Sequence, residues 1–308
     1  MLQDTDYYSY LNCPFTGRKL RFLSEEELEN VNERIGRGEL YFYPGILVSS
    51  KLTRALVTEH QTYIYPVFND IFYLKRETAI VAKNRTENYL KRVSQAVIDE
   101  FEMKFDLNSV NEKAIRGSSH KLEMLSPDRV TSIRANYSKT GENFVSICAN
   151  DIDAIYNLVF ETRYKRYIHV EYNLRKLKSV KAELKENTVL ILADNGKLPF
   201  GDGSIDAMFS FDPINKYTKG DQKFIYDDFK RVLNQGAIST VLFEDDKPLH
   251  AKLFSGVDKL AKTARSVVMP WKKSKLPKIY FEGVKPVPVG ANSNEIVSKT
   301  SLGGQFSQ

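Results

Sequence analysis

The pattern of apolar and polar positions divides the chain into three parts. Between about residues 8 and 75, short apolar runs alternate with turn residues. Leu40–Tyr43, Tyr63–Val67 and Ile71–Leu74 predict strands, and Asn69-Asp70 breaks the last two apart. Cys13-Pro14-Phe15-Thr16-Gly17 predicts a turn, because proline fixes one dihedral and glycine accepts a positive φ. Ser24 ahead of Glu25, Glu26 and Glu27 predicts a helix N-cap with an acidic first turn, the sign the helix dipole favours. Gly36 and Gly38 close that helix. From Thr86 to Phe105 the positions Leu90, Val93, Val97 and Phe101 recur at helical steps and predict an amphipathic helix. Residues 106–140 are polar and weakly patterned, with turns at Gly117-Ser118-Ser119 and Ser126-Pro127 and a short helix near Arg129–Tyr137.

The third part alternates strand and helix. Strands are predicted at Phe144–Cys148, Tyr167–Val170, Thr188–Ala193, Ile205–Phe211 and Ala237–Phe243. Helices are predicted at Ile152–Thr162, Leu174–Leu184 and Lys223–Leu233, the last with Phe224, Ile225, Phe229, Val232 and Leu233 facing inward. Strands separated by helices of this length imply right-handed crossovers and a parallel sheet covered on both faces. The predicted organisation is a small α+β domain over residues 1–80, a helical linker over 81–140, an α/β domain over 141–289, and a Ser-, Asn- and Gly-rich tail over 290–308 whose composition predicts disorder.

Composition narrows the class. With 42% hydrophobic and 27% charged residues the chain is an ordinary globular protein. No apolar run approaches the ~18–20 residues of a bilayer span, so no membrane segment is expected. The polar, acidic start lacks the order of a secretory signal, and two distant cysteines, Cys13 and Cys148, offer no disulfide framework; a cytoplasmic setting is the expectation. Residues 1–105 hold 14 basic and 15 acidic side chains, whereas the remainder holds 31 and 24. Much of that excess sits in the stretch 262–278, with Lys262, Arg265, Lys272, Lys273, Lys275 and Lys278 and no acid, a patch that could attract a protein or RNA partner. His60, His120, His169 and His250 lack metal-ligand spacing, and His169, inside a strand, reads as a packed residue.

Ligands of an open parallel sheet sit beyond the carboxyl ends of its strands, which directs attention to 149–153, 171–173, 194–197 and 211–215. Glu171 ends the second strand, where a carboxylate can accept both ribose hydroxyls of a nucleoside. Asp194 ends the third, beside the place of an adenine edge. Acids at strand ends also cap following helices, so neither residue is decisive alone.

The run Ala193-Asp194, then Gly196-Lys197-Leu198-Pro199-Phe200-Gly201-Asp202-Gly203-Ser204-Ile205-Asp206-Ala207-Met208, resembles the corresponding stretch of class I S-adenosylmethionine-dependent methyltransferases. Phe229-Lys230-Arg231-Val232-Leu233-Asn234-Gln235-Gly236 resembles that family's helix and glycine turn before the fifth strand. The resemblance covers 144–244 and implies a Rossmann-like class I methyltransferase sheet. It also implies an S-adenosylmethionine site formed by Asn150, Asp151, Glu171, Asp194, Asn195 and Leu198, with Asp212 as the group at the methyl acceptor. No metal is implied. One departure stands out: the family's Gly-x-Gly turn after the first strand is replaced by Cys148-Ala149-Asn150-Asp151-Ile152-Asp153, without glycine. Two functions follow as expectations. One is a divergent methyltransferase of unknown acceptor; the other is a catalytically inactive pseudo-methyltransferase that binds or scaffolds a protein or RNA partner.

A second resemblance lies at the N-terminus. Cys13-Pro14-Phe15-Thr16-Gly17-Arg18-Lys19-Leu20 and Tyr65-Pro66-Val67-Phe68-Asn69-Asp70-Ile71-Phe72-Tyr73-Leu74 are similar to the small zinc-ribbon-like domain that accompanies or activates methyltransferases. With Thr16 where a second cysteine would stand, no structural zinc is expected. A core of Phe15, Tyr41, Phe42, Tyr43, Tyr65 and Phe72 is expected in its place.

Overall fold

The structure is a computed structural model that describes residues 8–88, 90, 93–105, 127–149, 159, 161–181, 188–194, 196–212, 214–244 and 278–284. Among these, the N-terminal strands are β1 (Leu20–Phe22), β2 (Leu40–Phe42), β3 (Ala55–Thr58), β4 (Ile64–Phe68), β5 (Ile71–Leu74) and β6 (Ile80–Ala82), with helix α1 (Glu25–Gly36) between the first two. Helices α2 (Gln95–Phe105) and α3 (Pro127–Asn136) follow. The C-terminal part contains β7 (Thr140–Ile147), β8 (Arg163–Glu171), α4 (Leu174–Lys181), β9 (Thr188–Ala193), β10 (Ile205–Ser210), α5 (Lys219–Val232), β11 (Leu233–Glu244) and β12 (Lys278–Val284).

Local chemistry explains several of these boundaries. Ser24 caps α1 through a reciprocal pair: its hydroxyl accepts from the Glu27 N–H, and the Glu27 carboxylate accepts from the Ser24 N–H. Asn69 and Asp70, at φ 49° and 59°, form the two-residue turn that joins β4 to β5 with the twist a hairpin needs. The helix expected from Thr86 begins instead at Gln95. The Thr86 hydroxyl donates to the Lys83 carbonyl, the Glu87 N–H to Tyr43, and the Asn88 amide to Pro44, and these bonds pin 86–88 against the turn after β2. Leu90 is consequently 80% exposed, while Phe101 and Phe105 are buried.

The strand order is β1-β3-β4-β5-β9-β8-β7-β10-β11-β12, with β6 pairing β2 and β4. From β5 to β12 every neighbouring pair is parallel, and the N-terminal pairs are antiparallel. This is the Rossmann-like arrangement, with β7 central and the N-terminal strands added beside β9. The junction is β5. It pairs antiparallel with β4 and parallel with β9, in the register Ile71 with Leu190 through Leu74 with Ala193. All four residues of β5 are buried, as a strand covered on both faces requires. A second join lies below it: Leu11 bridges Phe200, the Asn12 N–H donates to the Pro199 carbonyl, and the Gly201 N–H donates to Tyr10.

Among the described residues three apolar clusters cover the sheet, the third formed by Ile133, Tyr137, Phe144, Tyr164 and Phe209 around α3. The first holds Val145, Ile147, Ile168, Val170, Ile191 and Met208 beneath α5 and the N-terminal segment. The second holds Tyr73, Leu190 and Leu192 beneath α2 and α4. On α5, Ile225, Phe229 and Val232 share a buried face, whereas Phe224 is 58% exposed. Adjacent helical residues diverge by about 100°, so 224 leaves the face that 225, 229 and 232 share. Of the aromatics expected in the N-terminal core, Phe42, Tyr65 and Phe72 are buried. Phe15 lies between Tyr43 and Tyr63, with ring centroids at 4.6 and 4.7 Å. No helix among the described residues is long and apolar enough to cross a membrane. Most of the expected helix over 152–162, most of the basic stretch 262–278 and the tail 290–308 fall outside the described residues; the expected helix does not extend to Glu161, at φ 69°, or Thr162.

Candidate functional site

The chain reverses its progress across the sheet at β7: β8 and β9 lie on one side, β10 and β11 on the other. Three side chains converge beyond this switch point: Cys148 after β7, Glu171 closing β8 and Asp212 just past β10. Asp194, after β9, borders them on the side of the N-terminal strands.

Cys148 turns the chain out of β7 with φ 53°, a left-handed conformation for which glycine is better suited, while its N–H still donates to Val170 at 2.8 Å. Its thiol is buried and hydrogen-bonds the Glu171 carboxyl. Burial, with Glu171 and Asp212 beside it, pushes the thiol well up.

Glu171 is 1% exposed. Its carboxyl accepts from the Tyr172 N–H as well as from Cys148, yet Oε1 has no hydrogen-bond partner among the described residues. Burial pushes the group up to about 7, against the opposing pull of the Lys176 ammonium and those two hydrogen bonds. His169 lies two residues earlier on the same face of β8. Its Nδ1 is 3.0 Å from the Ser146 hydroxyl on the paired strand, and its Nε2, without a hydrogen-bond partner among the described residues, is 4.0 Å from Glu171 Oε1. Burial alone pushes the imidazole down to about 3, so it is neutral at physiological pH.

Asp212 is 6% exposed, and its carboxylate accepts from the Lys216 ammonium and the Tyr217 hydroxyl. A single 3₁₀ turn, Ile214–Lys216, brings both donors back, with Ile214 buried as its anchor. Tyr172 lies among Cys148, Asp212, Tyr217 and Glu171.

Asp194 is engaged by the N-terminal part of the chain. Its Oδ2 accepts from the Arg76 N–H at 2.9 Å, and its Oδ1 is 3.9 Å from the Lys75 ammonium. Lys75 is 7% exposed, and burial pushes it down. Leu198 is buried and its N–H donates to Asp228 at 2.6 Å. Arg231 reaches the carbonyls of Leu198 and Phe200 at 2.9 and 2.6 Å, so α5 fixes the whole Leu-Pro-Phe segment. That contact gives the two separated halves of the sequence resemblance one physical basis.

The expected residues therefore divide. Glu171 and Asp212 converge near Cys148, Asp194 is bonded to Lys75 and Arg76, and Leu198 is braced from α5. Asn150, Asp151 and Asn195 fall outside the described residues. Sequence reading missed the Ser146–His169 pair and the reach of Lys75, both of which depend on strand register.

Residues 153–241 match the family described as Methyltransferase domain. No curated protein sequence matches the chain. Among solved structures, a chain from the Haloferax volcanii complex containing the Trm112 methyltransferase activator is 16% identical, over 44% of this chain and 57% of that one, with a TM-score of 0.33. XF2673 from Xylella fastidiosa is 26% identical over 28% of this chain and 87% of its own, with a TM-score of 0.22. A SAM-dependent methyltransferase from Aquifex aeolicus is 12% identical over 47% and 69%, with a TM-score of 0.31. The chain thus spans 57% of the length of the Haloferax chain. The sheet is that of a Rossmann-like class I methyltransferase, extended at one edge by the N-terminal strands.

Proposed function

We propose that the protein is an S-adenosylmethionine-dependent methyltransferase whose nucleoside is held through Glu171. The observation that carries this reading is the Glu171 carboxyl at the switch point, buried, with Oε1 lacking a partner among the described residues. A buried polar atom without a partner costs about 1–3 kcal/mol, a cost that a ribose hydroxyl would offset. The residues fit the nucleoside end of the cofactor in this respect. S-adenosylmethionine, when bound, supplies a methyl group already activated on a sulfonium, so the protein's main task is alignment.

Asp212 serves the methyl acceptor in this reading. Lys216 and Tyr217 each take one lone pair of its carboxylate and fix its orientation. Further lone pairs remain to accept a proton from an amine or hydroxyl acceptor. Tyr172 and Tyr217 pack against the apolar cluster beside Asp212.

A second reading, a pseudo-methyltransferase acting as a binding module, is favoured by one observation: the Asp194 carboxylate is taken up internally by Arg76 and Lys75. Calorimetric titration of the full chain with S-adenosylhomocysteine separates the two. Micromolar binding abolished by Glu171→Ala supports the enzyme; no heat at millimolar ligand rejects it and leaves the module. The basic stretch 262–278 is the proposed surface for a protein or RNA partner in either case.

A further inference from the structure

The pair His169 and Glu171 presents two buried atoms, Nε2 and Oε1, each without a hydrogen-bond partner among the described residues and 4.0 Å apart. That separation is too long for a hydrogen bond and short enough for a side-chain rotation to close. Strand geometry explains their proximity: residues two apart on β8 point to one face. The register opposes Ser146 to His169, which brings the Ser146 hydroxyl to Nδ1.

The Ser146 hydroxyl has one proton and two acceptors within reach, His169 Nδ1 at 3.0 Å and the Ile168 carbonyl at 3.4 Å. If the hydroxyl proton goes to Nδ1, the shorter contact, the single proton of the neutral imidazole is on Nε2, facing Glu171; if it goes to the Ile168 carbonyl, that proton is on Nδ1. A neutral carboxyl has little use for this donor, whereas an ionised one attracts it strongly in such a dry setting.

We propose that His169 is a positioning residue for nucleoside binding: its Nε2–H, set by Ser146, closes onto Glu171 Oε1 when the carboxylate ionises to receive ribose hydroxyls. This inference rests on the reading of Glu171 as the ribose-binding group. The charged and titratable groups around Glu171 are Cys148 at the end of β7, Lys176 on α4, Asp212 beyond β10, and Tyr172 next to it. Among the described residues none of these donates a hydrogen bond to Oε1, and His169 Nε2 is the nearby ring nitrogen that can take that role. Because Glu171 is held protonated up to about pH 7 without ligand, binding of the nucleoside releases a proton below that pH.

The test is the dissociation constant of S-adenosylhomocysteine for the full chain between pH 6 and 9, with ¹⁵N NMR of the His169 ring as a readout independent of ligand. The wild type is expected to bind more tightly as pH rises through about 7. His169→Leu, which removes the donor, is expected to bind about fivefold more weakly at pH 7, approaching about tenfold at pH 6, and to recover toward high pH, the effect of moving the ionisation up by about one unit. His169→Gln, which keeps a donor at the ε position, is expected to restore most of the loss. In the wild type the ring is expected as the Nε2–H tautomer. A His169→Leu profile that superimposes on the wild type overturns the inference and leaves the Glu171 reading standing, as does an Nδ1–H tautomer. Absence of binding at every pH overturns both.

Discussion

Replacing Glu171 by glutamine changes the pH dependence of stability in a way that can be worked out. In the folded protein burial holds the Glu171 carboxyl protonated up to about pH 7, whereas the unfolded chain releases that proton near its ordinary value of 4.5. The folded state therefore binds the proton more tightly. Its stabilising contribution is complete below pH 4.5 and is lost as pH rises to 7. At roughly 1.4 kcal/mol per pH unit across that window, the loss amounts to about 3 kcal/mol. His169 has the opposite sign. Burial holds it neutral down to about pH 3, and the unfolded chain takes up a proton below 6.5, so its contribution is complete above 6.5 and is lost as pH falls. Between 4.5 and 6.5 the two slopes cancel. Glu171→Gln removes one of them and leaves the amide to occupy the same space. Urea unfolding followed by far-ultraviolet circular dichroism, at constant ionic strength from pH 4.5 to 8, gives the difference in stability between variant and wild type. That difference should move in the variant's favour by about 3 kcal/mol between pH 4.5 and 7 and then stay level. A difference that does not change with pH would show that Glu171 ionises at an ordinary value, and would refute the burial argument.

Other consequences follow from the same structure. Phe72→Ala opens a cavity where β5 joins the two parts of the sheet; it should cost about 3–5 kcal/mol and lower one cooperative thermal transition, and a separate early melt of the N-terminal strands would contradict the shared sheet. Asp70→Gly relieves a residue at φ 59° in the β4–β5 turn and should raise stability by about 0.5–1 kcal/mol in chemical unfolding. Cys13 and Cys148 are both buried, and the Cys148 thiol is pushed well up, so a disulfide reagent should titrate neither in the native protein and both in denaturant.

Much of this fold is legible from residue pattern alone, for local reasons. Ser24 and Glu27 cap a helix through bonds three residues apart, and Asn69-Asp70 marks a hairpin because those residues tolerate left-handed backbone. The strands β7 to β11 are recognisable as apolar runs set off by helical stretches or, between β9 and β10, by the Leu-Pro-Phe loop. Glu171 was legible as a strand-end acid, but its burial was not, since that depends on Tyr172, Cys148 and α4 closing around it. Ile71–Leu74 reads as a strand, yet nothing within it specifies β9 as its neighbour, with each residue paired to one 119 positions away along the chain. The same holds for Arg76, whose N–H meets Asp194 at a separation of 118 residues. His169 reads as a packed core residue because its partners, Ser146 and Glu171, are assembled only by register and pleat. Long-range pairing is where the sequence pattern ends and tertiary structure begins.

The most direct measurement is the affinity of the full chain for S-adenosylhomocysteine by isothermal titration, made on the wild type, Glu171→Gln and Glu171→Ala at pH 8. A micromolar dissociation constant in the wild type, weakened at least about tenfold in both variants, is the predicted result for a nucleoside held by the ionised carboxylate. Equal affinity in all three proteins, or no heat from the wild type at millimolar ligand, would contradict it.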